Sequence, residues 1–147
     1  MTQPQSISAP IGGPYLQSAL FCDAVIRGDD GVLTIIRVID RVNHRVATPN
    51  ASADMVPFEY DLTAVIMLKA GEVRGSHRLA LEIINPAGEK KEALSQDIYM
   101  EGEEDRGVNV VLKMRILFAY SGLHWFNVVF DDTLLTKMPL RIVYLRG

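Results

Sequence analysis

Between Val108 and Phe118 apolar side chains recur at every second position: Val108, Val110, Leu112, Met114, Ile116 and Phe118, set against Asn109, Lys113 and Arg115. A two-residue period puts one set of side chains on one face of an extended strand. A helix of period 3.6 would scatter the same residues around its circumference. The segment predicts a strand with one buried face, and a second layer of structure must cover that face.

The same period recurs elsewhere. Leu20, Cys22, Ala24 and Ile26 share one strand face, with Asp23 and Arg27 on the other. Leu79, Leu81 and Ile83 point inward on a strand from Arg78 to Ile84, and His124, Phe126, Val128 and Phe130 share a face of another. Tyr60–Lys69 and Leu134–Leu145 complete the strand set. Val32–Val42 is apolar on both faces, which suits a central strand covered on both sides or a strand crossing the edge of the core. Turn chemistry punctuates these runs at Asp29-Asp30-Gly31, Asn85-Pro86-Ala87-Gly88, Ser121-Gly122 and Asp131-Asp132. Ser121-Gly122 is expected to fold the Val108–Phe118 strand into a hairpin with the next one. Glu89–Gln96 has helix-forming composition, but it spans only about two turns and follows Pro86 and Gly88. Pro139 lacks an N–H, so the last strand is expected at an edge or bulged there.

About eight strands with no long helix between them predict an all-β fold, an antiparallel β-sandwich of Ig-like or jelly-roll-like type. The domain is expected to cover residues 16–147. Residues 1–15, with Pro4, Pro10, Gly12, Gly13 and Pro14, read as a flexible N-terminal tail.

Composition narrows the function classes. A net charge of −3 and a pI near 5.6 argue against nucleic-acid binding and against attachment to anionic lipid. No apolar run is long enough to cross a bilayer as a helix, and the N-terminus lacks a secretory pattern. One cysteine, Cys22, cannot form an internal disulfide. The expected setting is therefore cytoplasmic and reducing.

No reactive cluster is legible. His44, His77 and His124 are separated in sequence and lack ligand spacing with Cys, Asp or Glu. His124 has inward parity and reads as a hydrogen-bonded core or rim residue. Cys22, mid-strand among Leu20, Ala24 and Ile26, reads as core packing. Asp23, on the opposite face, could pair with an arginine or anchor a loop. The acidic turns Asp29-Asp30, Asp131-Asp132 and Glu101–Asp105 could gather oxygen ligands for Ca²⁺, yet acidic turns also serve simply to solvate hairpins. Glycine-rich phosphate loops and a Gly-x-Ser-x-Gly elbow are missing from the sequence. Trp125, of parity opposite to His124 and Phe126, is expected on the outer face of its sheet, exposed as a contact or covered by the tail or a loop.

Three stretches carry a family resemblance: Ala19–Ala24, then Gly31–Leu33 through Ile39-Asp40-Arg41, then Gly122–Phe126 through Met138–Val143. In this order they resemble a family of small bacterial proteins known only as a domain of unknown function, over about residues 17–144. The resemblance implies a bacterial β-sandwich and brings no activity and no site residues. Members tend to carry an aromatic such as Tyr where this chain has His124.

The sequence thus leads to a non-enzymatic interaction or structural module, without cofactor, metal or catalytic residues, that acts through a protein partner or self-association. Trp125, Asp23 and His124 are the candidate contact residues. The alternative is a carbohydrate- or calcium-binding sandwich using the loops at one end. An unrecognised hydrolase would need His124 or His77 beside a nucleophile.

Overall fold

Alternation governs the observed fold. The computed structural model describes residues 12–147, which form nine strands and no helix: β1 (Tyr15–Arg27), β2 (Leu33–Ile39), β3 (Arg41–Val46), β4 (Phe58–Lys69), β5 (Gly75–Ile84), β6 (Lys90–Met100), β7 (Gly107–Phe118), β8 (Gly122–Phe130) and β9 (Thr133–Arg146). No helix among these residues is long and apolar enough to cross a membrane. Sheet A has the order β2-β1-β4-β7 and sheet B the order β3-β9-β8-β5-β6, the latter curled into a half-barrel. One core lies between them. Leu62, Ala64, Ile66 and Leu68 of β4 and Val110, Leu112, Met114, Ile116 and Phe118 of β7 meet Leu79, Leu81 and Ile83 of β5 and Phe126, Val128 and Phe130 of β8. Phe21 and Phe126 join the sheets directly, with ring centroids 4.8 Å apart and planes at 68°.

Several expectations change. Val32–Val42 is two strands, not one. The chain leaves sheet A after Ile39, turns at Asp40 and enters sheet B as β3, so both of its faces are apolar because it serves two sheets. It crosses the edge of the core; it is not a central strand. β7 and β8 are not a hairpin: β7 pairs with β4 in sheet A and β8 with β5 and β9 in sheet B, so residues 119–121 cross between the sheets. Glu89–Gln96 lies largely in β6, because Asn85 closes a hairpin instead of starting a helix. Its backbone N–H donates to the Glu89 carbonyl, and its Oδ1 accepts from the N–H groups of Ala87 and Glu89.

The pairing is not purely antiparallel either, since β3 runs parallel to β9 from Arg41↔Arg141 to Val46↔Arg146. This explains Pro139. β9 is interior overall, but β3 accompanies it only from Arg141 onward. The Arg141 N–H donates outward to the Asp40 carbonyl. Two residues earlier the Pro139 nitrogen has the same orientation, toward an edge that β3 has not yet reached, so the missing donor costs no ladder bond.

In β1 the buried parity is the reverse of the expected one. Ala19 and Phe21 face the core and pair in register with Ile66 and Ala64, while Leu20, Cys22, Ala24 and Ile26 point outward. Both parities of β1 are apolar, and the large Phe21 ring takes the interior. The start of the strand also lies ahead of Leu16: Tyr15 is already in β1, Pro14 is buried, and the Gly12 carbonyl accepts a hydrogen bond from Glu72 N–H. The remainder of the expected tail, residues 1–11, lies outside the described residues.

Candidate functional site

The outward face of sheet A follows from the register. Residues directly opposite one another share a face, so Val38, Cys22, Thr63 and Lys113 form one row across β2, β1, β4 and β7, and Leu20, Val65 and Val111 form the next. Ile36 and Ala24 lie on the other side of Cys22, beyond which follows Ile26. Cys22, Thr63 and Val65 are buried at the centre of this face, outside the core between the sheets. Around them Ile26, Ile36 and Val38 are 55%, 36% and 62% exposed. At the β4–β7 margin the apolar surface gives way to Glu59, Asp61, Lys113 and Arg115, with Arg115 Nε 2.7 Å from Glu59 Oε2. Burial, and secondarily the charge of Asp23, raises the Cys22 thiol above its ordinary pKa, so it is held as the unreactive thiol.

The candidate contact residues do not share one surface. Asp23 is set against Arg37 on the neighbouring strand, Arg37 Nε lying 2.9 Å from its Oδ2, which is the arginine pairing open to it from sequence. Arg37 has a φ of 55°, unusual for a side chain of its size, and this kink interrupts the free edge of β2. Trp125 projects from the outer face of sheet B, opposite Pro139 and 37% exposed. His124, its neighbour, is 2% exposed on the inward face.

His124 nonetheless reaches a cavity. Between the β5–β6 hairpin and the β7–β8 crossover is a pocket of about 260 Å³ whose wall includes Ile83, Leu117, Phe118 and His124 and whose polar groups are Asn85, Glu89, Lys91 and Tyr120. His124 Nδ1 lies 3.2 Å from the Gly122 carbonyl oxygen, so Nδ1 carries the proton and Nε2 is an acceptor with no partner among the described residues. Desolvation depresses the His124 pKa, partly offset by that hydrogen bond, so the ring stays neutral. Its edge meets Phe118 at 5.1 Å and 81°. At the mouth, Glu89 Oε1 accepts from Asn85 Nδ2 at 3.1 Å and from Tyr120 Oη at 3.4 Å. Sequence parity placed His124 inward, but nothing in the sequence put Glu89 beside Tyr120, 31 residues away.

His77 has a different task. Its Nδ1 is 2.8 Å from Asp131 Oδ2 and its Nε2 2.9 Å from the Arg74 carbonyl. The hydrogen bond with Asp131, then that with Arg74, raises its pKa and favours the imidazolium, which donates through both nitrogens. A catalytic histidine needs one nitrogen free to face a nucleophile; here both are engaged, and the pair ties the start of β5 to the β8–β9 turn. Asp131 is thereby committed to His77 and to the Arg78 N–H. Asp30 caps the N–H of Val32. Among the described residues no three His, Cys, Asp or Glu side chains converge as a metal-holding group.

The family model described as "Family of unknown function (DUF6941)" covers residues 17–143, and the chain belongs to that family. No curated protein matches it.

Proposed function

We propose that this member of the family is a non-enzymatic interaction module, an Ig-like β-sandwich whose outward sheet A face packs against a second copy of the chain. The carrying observation is the apolar outward face of β1 and β2, where Ile26, Ile36 and Val38 surround the buried Cys22. Exposed apolar surface rimmed by polar groups marks an interaction site.

A second copy is favoured over a charged partner because the β4–β7 margin carries Glu59 and Asp61 against Lys113 and Arg115, equal numbers of each sign. A two-fold arrangement can set those opposite signs against each other, whereas a strongly charged partner gains nothing from a neutral rim. Face-on packing is favoured over strand addition because the Arg37 kink breaks the regular edge of β2.

The Ig-like type is favoured over the jelly roll by strand order. β9, β8 and β5 occupy the places of G, F and C, while β1, β4 and β7 stand as A, B and E. The lack of catalysis is supported by the full engagement of His77, the undissociated Cys22 and the lack of Ser, Thr or Cys in the wall of the His124 pocket. The lone cysteine supports a reducing, cytoplasmic setting, and the acidic balance disfavours nucleic acid and anionic membrane as partners.

Light scattering coupled to size-exclusion chromatography tests the proposal. The wild-type chain is expected to run as a dimer that dissociates on dilution, and Val38→Glu as a monomer with unchanged far-UV circular dichroism. A wild-type chain that stays monomeric at the highest soluble concentration would overturn it, as would a dimer indifferent to both Val38→Glu and Ile36→Glu.

A further inference from the structure

The pocket around His124 is independent of the sheet A face, and its chemistry points to a ligand. A buried imidazole normally has both nitrogens satisfied. Here Nδ1–H is fixed on the Gly122 carbonyl, and Nε2 keeps access to solvent as an acceptor on a ring that lines a cavity. A ligand there must offer a hydrogen-bond donor.

The mouth adds complementary groups. Glu89 uses Oε1 for Asn85 and Tyr120, which leaves Oε2 as a second acceptor. Lys91 supplies donors; the nearby ion pairs engage Lys90 with Glu82 and Arg78 with Glu92 and leave Lys91 out. Tyr120, 43% exposed, presents an aromatic ring beside these groups. A hydroxyl both donates and accepts, so two adjacent hydroxyls can serve an imidazole nitrogen, a carboxylate and an ammonium together. A ring with axial C–H groups can lie against the tyrosine. The volume of about 260 Å³ falls just below the range of pockets for drug-sized ligands and suits a single small ring.

We propose that the cavity bounded by His124, Glu89, Lys91 and Tyr120 binds one pyranose unit or a cyclic polyol through a pair of adjacent hydroxyls, one donating to His124 Nε2 and the other to Glu89. Sugar binding neither requires nor precludes the pairing of two chains, so the two proposals fail separately.

The test is a titration of the ¹⁵N-labelled full chain, followed by amide shifts, with methyl pyranosides of glucose, galactose and mannose and with myo-inositol. At least one is expected to give saturable shifts confined to Asn85–Lys91 and Leu117–His124. Glu89→Gln and Lys91→Met, both at exposed positions, are each expected to weaken that binding about tenfold or more, and Tyr120→Ala to weaken it as well. His124→Gln serves as a further arm provided its amide spectrum retains the native dispersion. No saturable shift with any probe would overturn the proposal. So would shifts that map elsewhere, or binding unchanged in both Glu89→Gln and Lys91→Met.

Discussion

His77 and Asp131, 54 residues apart, are held 2.8 Å from each other, and the same carboxylate accepts the Arg78 N–H at 3.1 Å. Asp131 adopts a φ of 50° to do this, a conformation that aspartate tolerates better than most residues. The pair is a clasp between β5 and the β8–β9 turn. Asp131→Ala removes both acceptors and the residue suited to that φ, and it is expected to cost about 1–3 kcal/mol in urea denaturation. Asp131→Asn, which keeps a carboxamide oxygen and the left-handed preference, is expected to cost less.

Two histidines of sheet B, His77 and His124, should have their pKa values shifted in opposite directions. His77 has its folded pKa raised above 6.5, chiefly by Asp131. Its contribution is fully present below the unfolded value of 6.5 and is lost as pH rises through the raised folded value. His124 has its folded pKa lowered, chiefly by desolvation, so its contribution is present above 6.5 and is lost as pH falls through the lowered folded value. Two-dimensional ¹H–¹⁵N spectra of the imidazoles are expected to show His77 keeping its imidazolium form to higher pH than a free histidine, and His124 as the neutral Nδ1–H tautomer at neutral pH. Unfolding curves of His77→Gln should lack the loss of stability above pH 6.5 that wild type shows.

The Phe21–Phe126 contact is an edge-to-face bridge between the sheets within the core. Phe126→Ala is expected to destabilise by about 3–5 kcal/mol, as for other fully buried aromatic truncations. In a double-mutant cycle with Phe21→Ala, the coupling should be about 0.5–1.5 kcal/mol, the range for edge-to-face aromatic pairs. Strict additivity would show that the sheets are held together elsewhere.

Gly107 opens β7 opposite Lys69, and a Cβ there would fall inside the contact radius of the Leu68 carbonyl oxygen. That oxygen belongs to strand backbone and cannot swing aside. Gly107→Ala is therefore expected to be among the most damaging single-methyl changes, on the order of 2 kcal/mol or more by thermal unfolding, although it touches no core side chain.

Much of this arrangement was legible in the sequence, and the remainder failed for identifiable reasons. Strong alternation identified the inward faces of β5, β7 and β8, because a one-residue slip would expose every buried side chain. The inward face of β1 is not legible from alternation because both its parities are apolar, and the larger Phe21 ring, not Cys22, takes the core between the sheets. The division of Val32–Val42 at Asp40 carries no strong turn signal: a bend confined to a single residue carries the chain from one sheet to the other. β7 and β8 are adjacent in sequence and were expected to pair, but sheet membership depends on partners 30 to 60 residues away. The His124 pocket was half legible: parity placed the imidazole, while Glu89 and Tyr120 arrive from a hairpin and a crossover that only the tertiary fold brings together.

The parallel ladder between β3 and β9 has a consequence in time. Arg41 pairs with Arg141, so closing this ladder requires a loop of about a hundred residues, and β9 is the last of the nine strands to leave a ribosome. Until it does, β3 has no partner and β8 lacks one of its two neighbours, whereas all four strands of sheet A have already been made. Long-range pairing of this kind slows folding, because the loop entropy is lost before the contacts repay it. Nascent chains that end before residue 133 should therefore present an open, apolar flank of sheet B, and that interval is when the molecule depends most on chaperones.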